Sequence, residues 1–338
     1  MKKNLLAIVT ISFLIVGLMI TGVLAQISDD KQDEVSQIEG LMEEDFWADP
    51  SYDIKHSAAF SVGYDDNVNL TKKKKSDVFE NFIYSLDYTF AINDKLDFTL
   101  DYDLDYMNYG QFTDNNNLMN HINIGLVKEI SRVDLGASYD FSYYHYPHNK
   151  DGDFYFHKGK FYIRDYFAEG LYHQLSIIPG LKRHVNRKAL ANSITTFQDT
   201  ERSDDRQTYE YTIGAVVNPK IFLKFTGSLI VNESNAEYEN FYDYKAYQLA
   251  PSIYYKLSKR LQLFFNYMYR YKMFRNRTVT YDNYKQRDRL YAASFGLNFH
   301  LTKNSSLSAS YAFRNNSSND DEESYNGNVI NVGYRVRF

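Results

Sequence analysis

The chain has 338 residues, with 43 Asp and Glu against 38 Lys and Arg, and it has no cysteine. A formal net charge of -5 excludes the basic surface that a nucleic-acid binder needs. The missing cysteines exclude a disulfide framework and thiolate chemistry. A mean hydropathy of -0.51 excludes a bundle of membrane-crossing helices. It leaves a membrane barrel open, because barrel strands turn only every second residue to lipid. The 32 Tyr and 24 Phe, against one Trp, suit strands and the level where membrane meets water.

At the N-terminus, Lys2 and Lys3 precede an apolar or small-residue run from Leu5 to Ala25. Val23 to Ala25 supplies the small residues that a signal peptidase needs, and a polar segment begins at Gln26, so residues 1–25 are expected to be a cleaved signal peptide. The run is also about as long as the roughly 20 residues that span a bilayer, so a single anchoring helix is the other reading. No cysteine lies near the cleavage site, which excludes a lipoprotein anchor. Residues 26–53 are acidic and polar and are expected to be a short periplasmic extension. Within it, Val35, Ile38, Leu41 and Met42 fall on one side of a short amphipathic helix, which is either part of the extension or a small plug for a barrel mouth.

Residues 54–338 read as one all-β unit. From His56 onward, segments of about a dozen residues alternate apolar with polar, and the connections between them are short and long in turn. The short ones lie at Ile92 to Asp94, Ile130 to Arg132, Ala168 to Gly170, Asn218 to Lys220, Ser258 to Arg260 and Thr302 to Asn304, each with turn-forming residues. The long ones are expected at 66–77, 111–117, 147–153, 187–205, 234–244, 278–286 and 316–325. Six short turns and seven long loops separate fourteen strands. Regular alternation of this kind predicts a transmembrane, antiparallel, up-and-down barrel with periplasmic turns and longer extracellular loops. A soluble sandwich would mix its connection lengths.

Parity within the strands sorts the side chains. In the third strand Leu96, Phe98, Leu100, Tyr102, Leu104 and Tyr106 share one face. In the eleventh, Leu261, Leu263, Phe265, Tyr267, Tyr269 and Tyr271 do the same. Pro179 and Pro251 fall on the lipid-facing parity, and a bulge or bend is expected at each because proline lacks a ladder donor. Charges at lipid depth cost roughly 2–4 kcal/mol for Arg or Lys, so charged residues are assigned to the lumen. An acidic wall is expected from Asp97, Asp101, Asp103 and Asp105, with Asp87, Asp140, Asp65 and Asp134 beside it. A basic wall opposite is expected from Lys224, Arg270, Lys272, Arg314, Arg335 and Arg337, with Lys182 and Lys256. Either these charges pair across a packed interior, or they line a water-filled pore and tune its selectivity. Fourteen strands lie nearer the open end of the size range.

Other candidates carry less. Lys72 to Lys75 could touch lipopolysaccharide phosphates, or could be a solvated loop. The acidic run Asn319 to Glu323 does not match a calcium loop. His145, His148, His157, His173, His184 and His300 lack metal-ligand spacing. There is no Gly-x-Ser-x-Gly elbow, and the Asp204–Asp205 doublet has no partner histidine near it in sequence, so no enzyme, metal or organic cofactor is expected.

The last eight residues alternate strictly, with Val332, Tyr334, Val336 and Phe338 on one side and Asn331, Gly333, Arg335 and Arg337 on the other. Asn331, Gly333, Val336 and Phe338 resemble the C-terminal signal by which Gram-negative outer-membrane barrels reach their insertion machinery. The exit of the first strand, with Gly63, Asp65, Asn67, Val68 and Asn69, resembles a Gly-x-Asp-x-Asn-Val opening. That opening occurs in β-barrel porins of the exopolysaccharide-associated type and, less closely, in the barrel domain of surface lipoprotein assembly modifiers. The likeness spans residues 56–338. The assembly modifiers usually carry a helical-repeat domain before the barrel, and this chain has only about 28 residues there. The resemblance implies the cell outer membrane as location. The function expected is a porin-like channel for passive diffusion of ions or small polar solutes. The alternative is a non-conducting barrel that acts as a structural protein or an accessory to surface lipoprotein or exopolysaccharide export. Expected partners are outer-membrane lipid and lipopolysaccharide, the insertion machinery and small solutes, with no nucleic acid.

Overall fold

The computed structural model describes residues 54–279 and 283–338. The expected signal peptide and acidic extension lie outside the described residues. Fourteen antiparallel strands form a closed up-and-down barrel. In chain order they are β1 (Lys55–Asp65), β2 (Asp77–Asn93), β3 (Leu96–Tyr109), β4 (Asn117–Ile130), β5 (Val133–His145), β6 (Phe154–Ala168) and β7 (Leu171–Leu190). They continue with β8 (Phe197–Asn218), β9 (Ile221–Ser234), β10 (Tyr244–Lys256), β11 (Leu261–Thr278), β12 (Lys285–His300), β13 (Ser305–Ser318) and β14 (Tyr325–Arg337). Each strand pairs with its sequence neighbours, and β14 returns to β1 to close the wall. Closure leaves no strand edge, so every backbone donor in the membrane layer has a ladder to join.

The two-residue period does the sorting that the sequence implies. Phe60, Val62 and Tyr64 of β1, Phe161 and Ile163 of β6, and Ile330, Val332 and Tyr334 of β14 are all exposed on the outside. Their sequence neighbours Ser61, Gly63 and Gly333 point inward and are covered. Inward space is tight at several glycines that lie beneath aromatic rings of a paired strand. A Cβ on Gly296 would meet Phe264 at 2.0 Å, and one on Gly136 would meet Tyr162 at 2.1 Å. Each glycine lets a large ring lie flat on the inner wall.

Two local expectations are corrected. Pro179 and Pro251 introduce no bulge. The β6–β7 register resumes at Phe161↔Ile177 in step with Lys158↔Gly180, and the β10–β11 register resumes at Ser252↔Asn266 in step with Leu249↔Tyr269. Each proline faces its missing donor toward one neighbour and keeps its pairing with the other, at Gln207 and Phe225. The break is therefore a one-sided gap in the ladder. The second correction concerns 187–205. This stretch is mostly strand, because β7 runs to Leu190 and β8 starts at Phe197, giving strands of 20 and 22 residues. The pair projects past its neighbours and past the lipid-facing wall, with Ala189, Leu190 and Arg202 buried and Phe197, Asp199 and Glu201 exposed. The 235–243 loop braces it, with the Glu237 amide donating to the Leu190 carbonyl at 2.9 Å.

Candidate functional site: the lumen

The first long loop, residues 66–76, turns into the barrel. Leu70, almost completely buried, packs on Met268 of β11, Leu290 and Ala292 of β12, and Tyr325 of β14. Val68 packs on Phe79 of β2, Met107 and Tyr109 of β3, Ala312 of β13 and Val329 of β14. The loop thus lines the inner wall from β11 round to β3 at the long-loop end. The residues behind the family resemblance hold it there. Asp65 accepts two hydrogen bonds of 2.6 Å from Arg314 Nη2, which also donates to the Asn67 carbonyl at 2.9 Å. The Asn67 side chain donates to the carbonyls of Thr71 and Asn326 at 2.8 Å each, and accepts from the Thr71 amide at 3.1 Å.

Asp66 adds a tether on the outside of this anchor, accepting from the backbone and side chain of Asn328 at 2.7 Å each and from Lys74 at 3.0 Å. Burial alone would raise this carboxyl. The Asn328 hydrogen bonds and the Lys74 ammonium outweigh burial and hold it below the usual carboxylate range. The stabilisation is therefore complete above the ordinary carboxylate value and is lost only as the pH falls through the lowered one. Two further loop lysines are also engaged. Lys72 meets Asp321, and Lys75 lies 5.5 Å from the Phe112 ring centre. The acidic run of the last loop serves the same bracing role. Glu323 pairs with Arg277 at 3.0 Å, and Asp320 accepts from the Glu322 amide.

The plug displaces the open lumen toward β5–β10, where a cavity of about 430 Å³ lies between Asp140, Tyr144, Phe156, Lys158, Arg206 and Glu210. By strand parity Asp87 of β2, Asp97, Asp101, Asp103 and Asp105 of β3, and Asp134 and Asp140 of β5 share the lumen face, while Asp65 ends β1. Asp87 and Asp101 stand directly opposite each other in register, and Asp105 accepts from Asn81 at 2.6 Å. Asp97 sits at the short-turn end of the same face. The sequence reading missed His121. Its two ring nitrogens lie 3.3 Å from Asp103 and 3.1 Å from Asp140, with Lys158 3.8 Å from Asp140. A ring that meets a carboxylate at each nitrogen must donate at both, so the geometry fits imidazolium. The signal was available in its inward parity and its place between two Asp-bearing strands.

The expected basic wall is divided into two tiers, a correction that follows from strand height. Arg270, Lys272 and Arg314 lie at the long-loop end and are buried, whereas Lys224, Arg335 and Arg337 lie near the short turns and are half-buried. Arg314 is committed to Asp65. Aromatic rings accompany the upper cations. Lys272 lies 4.9 Å from the Tyr244 ring centre, Arg206 lies 5.3 Å from that of Phe156, and Lys182 lies 3.8 Å from that of Phe154. The Asp204–Asp205 doublet is split across the wall, with Asp204 buried inside beside Arg202 at 2.9 Å and Asp205 exposed outside. Among the described residues, no group of three or more His, Asp or Glu side chains is placed to hold a metal ion.

No protein-family model matches the chain, and no curated protein matches it. Solved structures do. A loop L8 deletion mutant of OmpT, an outer membrane protein of Vibrio cholerae, aligns with a TM-score of 0.52 at 10% identity, over 85% of this chain and 98% of that one. The trimer form of in-vitro folded OmpT from Vibrio cholerae gives 0.51 at 11% identity, over 85% and 99%. The outer membrane channel DcaP of Acinetobacter baumannii gives 0.51 at 10% identity, over 85% and 96%. The likeness lies in architecture, and the fold of this chain is that of the outer-membrane β-barrels.

Proposed function

We propose that the protein is a porin-like channel of a Gram-negative outer membrane, through which ions or small polar solutes diffuse. One observation supports this most: a closed barrel with an apolar outside carries both carboxylates and cations on the wall of a cavity inside. A charge about 4 Å from a passing ion in water contributes about 1 kcal/mol, roughly fivefold in relative permeability. The Asp101→Asn and Asp103→Asn double variant is therefore expected to lower the cation-to-anion permeability ratio several-fold at low salt, measured from reversal potentials of single reconstituted channels. Silence at every potential and pH would remove the reading.

Delivery to the membrane belongs to the same proposal, by a signal peptide and then by the C-terminal residues. Phe338 is 73% exposed and its backbone amide bonds the His56 carbonyl at 2.9 Å, so its ring packs against nothing inside the barrel. Phe338→Ser is expected to change the stability of the folded barrel by about 1 kcal/mol or less. The same change is expected to reduce assembled barrel strongly, as read by heat-modifiable gel mobility in membranes. Equal loss of stability and assembly would argue against a signal role.

A second reading has one observation in its favour. The inward first loop narrows the long-loop end, as suits a non-conducting barrel that assists export or assembly at the surface. Conductance seen only after the loop is removed would favour it.

A further inference from the structure

The outer wall carries a group of cations that the lumen does not explain. Lys285, Arg287 and Arg289 occupy three successive outward positions at the start of β12 and are all exposed. The next outward residue, Tyr291, stands against Tyr269 with ring centres 5.2 Å apart. Beyond it follow Ala293, Phe295, Leu297 and Phe299, the apolar band of this strand. An aromatic pair at the edge of an apolar band marks the membrane–water boundary. The three cations therefore stand immediately beyond that boundary on the long-loop side.

They also frame a recess. A cavity of about 500 Å³ opens on the outer surface between Tyr271, Tyr284, Lys285, Arg287, Arg289 and Asn319. Arg289 lies across Tyr271 with its guanidinium carbon 5.7 Å from the ring centre, and Tyr271 is only 3% exposed beneath it. Arg275 nearby is tied to Asp243 at 3.4 Å. Among the described residues, neither Arg287 nor Arg289 has a carboxylate within ion-pair distance. Lys245 adds a further outward cation one strand beyond β11, in register with Met273 and so at the level of Arg287.

We propose that this recess binds the phosphorylated headgroup of an outer-leaflet glycolipid, with Arg287 and Arg289 on its phosphates and its acyl chains lying along Phe295 and Leu297. Arginine forks match phosphate oxygens in pairs. A lipid, rather than free phosphate, is indicated by the position of the recess directly above a lipid-facing surface. The proposal rests on the barrel lying in a membrane, and it does not depend on conduction.

The test uses the full mature chain in dodecyl maltoside micelles, titrated with bis-phosphorylated lipid A and followed by native mass spectrometry. Dephosphorylated lipid A, phosphatidylcholine and inorganic phosphate are titrated in parallel. The expected result is one retained bis-phosphorylated lipid, with Arg287→Gln and Arg289→Gln each weakening binding about tenfold or more. Lys72→Gln with Lys73→Gln should leave it unchanged. Heat-modifiable gel mobility establishes that each variant is folded, and the comparison between lipids on the wild-type chain needs no variant. Equal retention of the dephosphorylated lipid, equal binding by the arginine variants, or displacement by millimolar inorganic phosphate would overturn the proposal. Each of these outcomes leaves the conductance measurements untouched.

Discussion

Removing the first loop should open the barrel. Deleting residues 68–75 is expected to raise single-channel conductance several-fold and to weaken ion selectivity, while the strands stay closed. The wall behind the loop, from β11 to β3, would then face water, and the pathway would no longer be confined to the cavity beside β5–β10. Leu70→Asp tests the same point without a deletion. It replaces the apolar wedge with a carboxylate among Met268, Leu290 and Ala292. The exchange forfeits the roughly 1.5–3 kcal/mol that a buried leucine contributes and adds the cost of desolvating a carboxylate, so the loop should leave the lumen. Leu70 also holds a φ of +47°, a backbone state that side chains other than those of Gly and Asn seldom adopt. Its packing therefore works against local strain of order 1 kcal/mol. Leu70→Gly would relieve the strain and lose the wedge. Conductance close to wild type for both Leu70→Asp and the deletion would show that the loop does not restrict the passage.

The second large effect belongs to the anchor. Arg314→Met is expected to destabilise the barrel by about 3–5 kcal/mol, measured by urea unfolding in detergent. Both partners are 3% exposed, and removing the guanidinium leaves the Asp65 carboxylate with the Asn67 amide but without its cation. Asp65→Asn combined with Arg314→Met removes the charge as well and should recover a large part of the loss. If the double variant were no more stable than Arg314→Met alone, the penalty would not come from an orphaned charge. The same variants should free the first loop, so they are expected to share the conductance rise of the deletion.

Parity was the strongest signal in the sequence, and it held wherever lipid faces one side of a strand. On that basis Phe98, Leu100 and Tyr102 share one face of β3, and Asp97, Asp101 and Asp103 the other. It weakened where lipid is absent. The 187–205 stretch is paired by its backbone, but it lies beyond the lipid-facing wall and is rich in polar residues, so its composition reads as a loop. Direction within loops was also hidden. Val68 and Leu70 stand two apart in a segment otherwise full of lysine, which was the only trace that it folds inward. The two tiers of basic residues required strand height as well as parity. His121 was overlooked because its partners Asp103 and Asp140 come from two other strands, and only the register of β3, β4 and β5 brings them to it.

The Asp65–Arg314 bond has one more consequence. Asp65 ends the first strand and Arg314 lies on the thirteenth, so the last strand to be synthesised stands between them. The lock on the plug therefore cannot form until the final hairpin has docked against the start of the chain, 249 residues away. A half-built cylinder has its stopper unfastened, and zipping the wall shut is the same event that fastens it.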